Sequence, residues 1–274
     1  LSIIEDPDRA SGRTLLLDDL THSYVDLNDP TLLEFWYVRR IVDAIATHSA
    51  DRAAIDAVYL GGGALTVPRY VRATRPGSDQ TILEIDGDLV EVVESDLDFD
   101  RGDDVDISVG DGRLTFADLD DDTADVVVGD AFGSRSVPFH LATEEFLADV
   151  ARVLRADGVY VANIIDGPSE DFLRAEAATI AAVWDHVVVI RGPGMLRATG
   201  GNSVIVASDA PLDAVALTER LADDQDPSDS FAQRTDPDRI VGEVVSGSAL
   251  DDYLGDAPVL TDDFAPVDQL LSSS

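Results

Sequence analysis

The chain has 274 residues and carries 55 acidic against 19 basic residues, a net charge of −36. Every basic residue is Arg, no Lys occurs, and 44 of the acids are Asp. A surface of that sign repels nucleic acid and anionic membrane, and no apolar run approaches the roughly 20 residues needed to span a bilayer. Cysteine is absent, which excludes disulfides, a thiol nucleophile and Cys-ligated metal. The histidines (His22, His48, His140, His186) form no i,i+4 pair, so no zinc motif is expected and no metal is assigned. The acids are spread along the whole chain. They read first as a hydrating, salt-adapted surface and only second as a site for a cationic ligand, so charge alone marks no functional patch.

In chain order, "LSIIEDPDRASGRTLLLDD" reads as a hairpin, two apolar runs around a Pro/Asp/Ser/Gly cluster. "NDPTLLEFWYVRRIVDAIATH" reads as a helix capped by Asn28 or Asp29 with Pro30 in its first turn. Strands and helices then alternate. "AAIDAVYLG", "QTILEID", "VDISVGDG", "ADVVVGDAF" and "VYVANII" are strands; "LTVPRYVRATR", "GDLVEVVESDL" and a short "RLTFADL" are helices. "TEEFLADVARVLRADG" is a helix capped by Thr143 and closed by Gly158. "SEDFLRAEAATIAAVW" is a helix, followed by strands "HVVVIRG" and "NSVIVAS"; "DAVALTERLADDQ" is a helix, "DPSDSFAQRTDPDR" a polar loop, and "VLTDDFAPVDQLL" ends the chain before a Ser tail. This alternation predicts an α/β fold with a mostly parallel sheet covered by helices on both faces. Residues 1–27 are expected to form a small N-terminal β lobe and residues 28–274 the main domain. No internal repeat occurs. The leading stretch turns acidic at once and shows no signal peptide, and a start at Leu1 reads as a trimmed segment.

In such a sheet, ligands bind beyond the carboxyl ends of the strands. Those ends carry Gly61, Gly62 and Gly63, then Glu84, Ile85 and Asp86, then Asp111 and Gly112, then Asp130. Glycines admit close backbone approach, an acid after the second strand can take both ribose hydroxyls, an acid after the third can accept from an adenine amine, and one after the fourth can hold or deprotonate an amine. Ala64, Leu65 and Thr66 follow the glycines, so the turn lacks the later glycines of a pyrophosphate loop. A nucleoside without phosphate is the expected ligand.

The stretches "YLGGGALTVPRY", "ILEID", "VGDGR", "ADVVVGDAF", "VPFHLATEEFL" and "RVLRADGVYVANI" together resemble the spermidine synthase (polyamine aminopropyltransferase) family over residues 14 to 210. "THSYVDLNDP" and "LTDDFAPVDQLL" are similar to its spermidine-synthase-like members that are often fused to membrane transporter segments. The resemblance implies a Rossmann-like, class I methyltransferase-type fold with a small N-terminal β lobe. It implies decarboxylated S-adenosylmethionine as donor, a small-molecule amine as acceptor, methylthioadenosine as product, and a place in polyamine biosynthesis. It further implies a homodimer in the cytoplasm, as the cytoplasmic part of a protein with an upstream membrane segment. By position, Glu84 would bind ribose, Asp111 adenine, and Asp130 the attacking amine. Departures from the family pattern stand at Ala64 (an acid in relatives), at His22 (Gln), at Tyr37-Val38-Arg39 (Tyr-His-Glu), and at Arg135 in "AFGSRSVP", where a second aspartate is usual. His22, Tyr24, Tyr37, Asp262 and Asp263, with Asp26, are the residues available for a different acceptor pocket. Two alternatives to aminopropyl transfer are a non-catalytic nucleoside-binding domain of a transporter-fused protein and an S-adenosylmethionine-dependent methyltransferase.

Overall fold

A computed structural model describes residues 1–17, 20–49, 54–133, 137–224 and 240–272. The polar loop expected after "LADDQ", Ser273 and Ser274 of the Ser tail, and Arg135 lie outside the described residues.

The N-terminal hairpin is a three-stranded antiparallel meander: β1 (Ser2–Glu5), β2 (Gly12–Leu17) and β3 (Leu20–Asp26). The third strand, "LTHSYVD", lacks clean alternation because Ser23 to Asp26 are all buried. Thr66 donates its hydroxyl to the Tyr24 carbonyl, tying this sheet to the main body.

The first helix, α1, runs over Trp36–His48 and starts later than its sequence suggests. Asp26 Oδ1 accepts from the amides of Asn28 and Asp29, and Asp29 Oδ1 accepts from the amide and hydroxyl of Thr31. These side-chain turns take the donors that a helix start would have needed, and they hold 28–31 in turns.

The main sheet has eight strands in the order β11-β9-β10-β8-β7-β4-β5-β6. Five are parallel: β4 (Asp56–Leu60), β5 (Asp79–Glu84), β6 (Val105–Val109), β7 (Ala124–Gly129) and β8 (Leu154–Asp166). The remaining three, β9 (His186–Arg191), β10 (Gly201–Ser208) and β11 (Glu243–Ser246), join antiparallel at the β8 side. The chain steps from β4 out to β5 and β6, then returns to the other side of β4 with β7. The switch point of the sheet therefore lies between the ends of β4 and β7, at Gly61 and Asp130.

Period-two alternation separates two cores. On one face, Val126, Val128, Val159, Val161, Val204 and Val206 pack under α1, α2 (Thr66–Thr74), α3 (Gly87–Ser95) and α8 (Ala214–Ala222). On the other, Val58, Val127, Tyr160, Ala162, Ile164 and Ile205 pack under α4 (Gly112–Ala117), α5 (Glu144–Val153) and α6 (Asp171–Val183). The short α7 (Pro193–Leu196), α9 (Ser248–Leu254) and α10 (Val267–Ser272) complete the second half. Thr143 caps α5 as expected, accepting from the Phe146 amide. Gly158 does not close it. The chain extends at Leu154, which pairs with Ala124, so Gly158 lies inside β8. Among the described residues, no helix is long and apolar enough to cross a membrane.

Candidate active site

The glycine turn is shaped by protein neighbours. Gly61 has φ +89°, and a Cβ there would sit 2.5 Å from the Asp130 carbonyl oxygen. Gly63 has φ +50°, and its Cβ would sit 2.7 Å from Ser23 Oγ. Glycine is thus required so that the turn can wedge between the end of β7 and the N-terminal sheet. Four amides of the turn are already engaged. Gly61 donates to Leu83 O, Gly62 to Glu84 Oε2 at 2.7 Å, Ala64 to Ser23 Oγ and Leu65 to Gly62 O. A phosphate would have to break these bonds, which favours a ligand without one. Ala64 is buried against the apolar core rather than facing the cleft. Gly61→Ala is expected to cost about 2–4 kcal/mol, from left-handed backbone plus overpacking. Urea denaturation measures it, and a loss below 1 kcal/mol would show that the turn relaxes freely.

Glu84 is buried and buttresses this turn. Its second oxygen accepts from the Asp86 amide at 2.9 Å, so the carboxylate spans the ends of β4 and β5. Asp86 and Asp111 each cap a helix. Asp86 accepts from Asp88 and Leu89 of α3, and Asp111 Oδ1 from Arg113 and Leu114 of α4. Asp111 Oδ2 lies 3.2 Å from His140 Nε2. Ile85 and Val109 are large apolar side chains left 69% and 54% exposed at this end of the sheet, as a planar ring would require of its platform.

Asp130 follows β7, held by its own amide on Leu60 O. Its Oδ1 accepts from Asn163 Nδ2 at 2.8 Å, and it also accepts a hydrogen bond from the Tyr37 side chain. Burial pushes its carboxyl up to about 7, against the opposing pull of the Asn163 and Tyr37 hydrogen bonds. Tyr37 is pushed well above its ordinary range by burial, with the Asp130 charge beside it acting in the same direction. A cleft of about 970 Å³ opens over these groups, with walls of Phe35, Trp36, Phe132 and Ile165. Trp36 is fixed by donating Nε1 to the Val241 carbonyl at 2.7 Å. His22 also lines the cleft; burial holds its imidazole below the usual range, with Glu84 opposing. None of the described residues lining the cleft is Arg.

Of the residues singled out for an acceptor pocket, the structure brings His22 and Tyr37 to Asp130. Tyr24 lies elsewhere and donates its hydroxyl to Asp6 at 2.7 Å. Asp26 is spent on the 28–29 turn and on Arg9. Asp262 is also outside the cleft: it holds Arg113 through two bonds of 2.7 Å and accepts from Thr143, pinning the C-terminal segment to α4 and α5. Asp263 is exposed beside it. Arg39 turns inward, with Nε and Nη2 on Asp224 and Nη1 on the carbonyls of Leu33 and Glu34. It brings no cation to the cleft. Asn163, which faces Asp130, follows no strand end and stands out by no motif. Its signal was a polar residue continuing the inward face of Val159 and Val161. Among the described residues, no cluster of three His, Cys, Asp or Glu could hold a metal ion.

No family model matches the chain. It is 28% identical over 255 residues to the polyamine aminopropyltransferase of Vibrio vulnificus (strain CMCP6), covering 91% of this chain and 80% of that protein. It superposes with a TM-score of 0.83 on the crystal structure of a probable spermidine synthase from Corynebacterium glutamicum ATCC 13032, at 26% identity, covering 95% of this chain and 92% of that one. A spermidine synthase solved with the transition-state analogue AdoDATO shares the fold at 22% identity and TM-score 0.57, over 77% of this chain and 68% of that one. With the Gly61–Gly63 turn, Glu84 and Asp130 gathered at the sheet's switch point, the chain is similar over nearly its whole length to the spermidine synthase (polyamine aminopropyltransferase) family.

Proposed function

We propose that the protein transfers an aminopropyl group from decarboxylated S-adenosylmethionine to an amine and releases methylthioadenosine. The observation that carries this reading is Asp130: a carboxylate with a raised pKa, held by Tyr37 and Asn163 at the floor of an aromatic-walled cleft and in backbone contact with the glycine turn. The adenosyl part lies over Gly61–Gly63, with its ribose hydroxyls at Glu84, its ring on Ile85, and its exocyclic amine at Asp111 and Gly112. The acceptor amine enters between Phe35, Trp36 and Phe132, with His22 and Tyr37 beside its nucleophilic nitrogen. Residues 1–27 act as a lobe that closes one side of the cleft.

The reaction is an in-line displacement. The acceptor ammonium gives a proton to Asp130. The neutral nitrogen then forms a C–N bond to the aminopropyl carbon attached to the sulfonium, and the C–S bond breaks with its electrons passing to sulfur. The secondary amine formed carries the new charge, and the proton on Asp130 passes to solvent. The leaving group is already activated by its positive charge, so the chain supplies position, desolvation and a proton acceptor. A cleft with acids and no Arg among its described lining residues suits a decarboxylated donor better than one bearing a carboxylate.

The test is incubation with decarboxylated S-adenosylmethionine and a panel of mono-, di- and triamines at high salt, following methylthioadenosine. Release that depends on amine supports the reading. Tight methylthioadenosine binding with no turnover for any amine overturns it, and methyl transfer from S-adenosylmethionine would replace it.

A further inference from the structure

Asp130 is the end of a chain of side chains. Asn163 Nδ2 donates to Asp130 Oδ1 at 2.8 Å, and Asn202 Nδ2 donates to Asn163 Oδ1 at 3.0 Å. Asn163 lies on β8 and Asn202 on β10. Their register pairs Val204 with Asn163 and Asn202 with Ile165, so the two amides are diagonal neighbours on one face of the sheet. Each interrupts an apolar stripe: Val159 and Val161 precede Asn163, and Val204 and Val206 follow Asn202. Asn163 is 2% exposed. A buried amide in such a stripe is costly unless its hydrogen bonds are made.

We infer that Asn202 is a positioning residue for the base: it fixes the Asn163 amide so that the NH2 group, and never the carbonyl, meets Asp130. This rests on the aminopropyl-transfer reading above for what Asp130 does, but not for the hydrogen-bond order itself. An ionised carboxylate only accepts, so Asn163 must show it the amino group. The Asn163 carbonyl then needs a donor, and Asn202 supplies one. Without that donor, Asn163 can turn and aim its carbonyl oxygen at Asp130, which disfavours the charged form of the base. Among the described residues lining the cleft, the other titratable groups around Asp130 are Tyr37 on α1, Glu34 just before it and His22 on β3, and the polar side chains from β8 and β10 are the two amides. Among the described residues lining the cleft, no charged group on that side offers a substitute for the amide order.

The test compares wild type with Asn202→Leu, which keeps volume and removes the donor, and with Asn202→Gln, which restores an amide. Asn202→Ala serves if the Leu variant does not fold. Two readouts are taken: the pH profile of kcat, and the titration of Asp130 by NMR of 13Cγ-aspartate, identified as the resonance lost in Asp130→Asn. In Asn202→Leu both midpoints are expected to rise by about half to one unit, with the activity loss largest below neutrality and vanishing at alkaline pH, and with partial return in Asn202→Gln. An unchanged Asp130 midpoint in the Leu or Ala variant overturns the inference, whatever the activity. If no amine supports turnover in wild type, the aminopropyl reading fails, and the NMR titration still decides the role of Asn202.

Discussion

Asp130→Asn is expected to lower aminopropyl transfer at pH 7.5 by about 10²- to 10⁴-fold, the usual worth of a positioned base, while leaving methylthioadenosine affinity unchanged. The reason is a mismatch of proton affinities. An aliphatic ammonium near 10.4 gives a proton poorly to a carboxylate near 3.9, a gap of about six units. Raising Asp130 to about 7 narrows that gap to about three units. Desolvation of the ammonium between Phe35, Trp36 and Phe132 lowers its own pKa and narrows it further. Wild-type kcat should therefore rise with pH through about 7 as Asp130 ionises, and that limb should be missing from the residual activity of the variant. Retained transfer with an unaltered limb would remove Asp130 from the mechanism.

The same substitution should stabilise the protein. The folded pKa of Asp130 lies above the unfolded value, so between about pH 4 and pH 7 the native state holds a proton that the unfolded chain has released. Stability falls as pH rises through that window, and above it the native state carries the full cost of an ionised buried carboxylate. A shift of about three units sets that cost at no more than about 4 kcal/mol. Asn at 130 never ionises. The variant should therefore unfold at higher urea than wild type at pH 8, and the difference should shrink at pH 5. A variant less stable than wild type at pH 8 would mean that the Tyr37 and Asn163 hydrogen bonds outweigh the desolvation.

The strand ends were legible in the sequence because topology alone brings them together. Gly61, Glu84, Asp111 and Asp130 each follow an apolar run, and any parallel sheet with β4 at its switch point gathers them. What was hidden depended on which of two partners a polar side chain chooses. Asp26 and Asp29 take backbone amides and delay α1; nothing in "NDPTLLEF" distinguishes that from a cap. Tyr24 and Asp262 had the chemistry of ligand contacts but are satisfied by Asp6 and Arg113, partners remote in sequence. Arg39, which stands where the family pattern has an acid, is drawn into the core by Asp224, 185 residues away. Asn163 and Asn202 were readable in principle, since each breaks a period-two apolar face, but in a chain this rich in polar residues a single Asn draws no notice.

Raising NaCl from 0.01 M to 1 M is expected to raise Tm by at least about 10 °C, taking about 2–4 °C per kcal/mol for a chain of this size. Salt has two opposed effects here. It weakens the ion pairs of the arginines, such as Arg72–Asp104 and Arg155–Asp125, which are part-exposed and worth about 0–1 kcal/mol each. It also screens repulsion among the acids. Even if every one of the 19 arginines neutralises one acid, 36 negative charges remain on 12405 Å² of surface. Their mean spacing is then roughly 19 Å, inside the screening length of about 30 Å at 0.01 M and far outside the 3 Å at 1 M. Each neighbouring pair costs about 0.2 kcal/mol in water. With about six neighbours per charge the unscreened total is about 20 kcal/mol, which screening at 0.01 M roughly halves, and it is offset in part by repulsion within the unfolded chain. A handful of exposed ion pairs cannot match that sum, so screening wins and the folded state gains. Salts of equal ionic strength but different anions should give the same rise if screening is the cause. A Tm that is flat or falls with NaCl would show that the arginine pairs, and not the surplus aspartates, dominate the electrostatics of this fold.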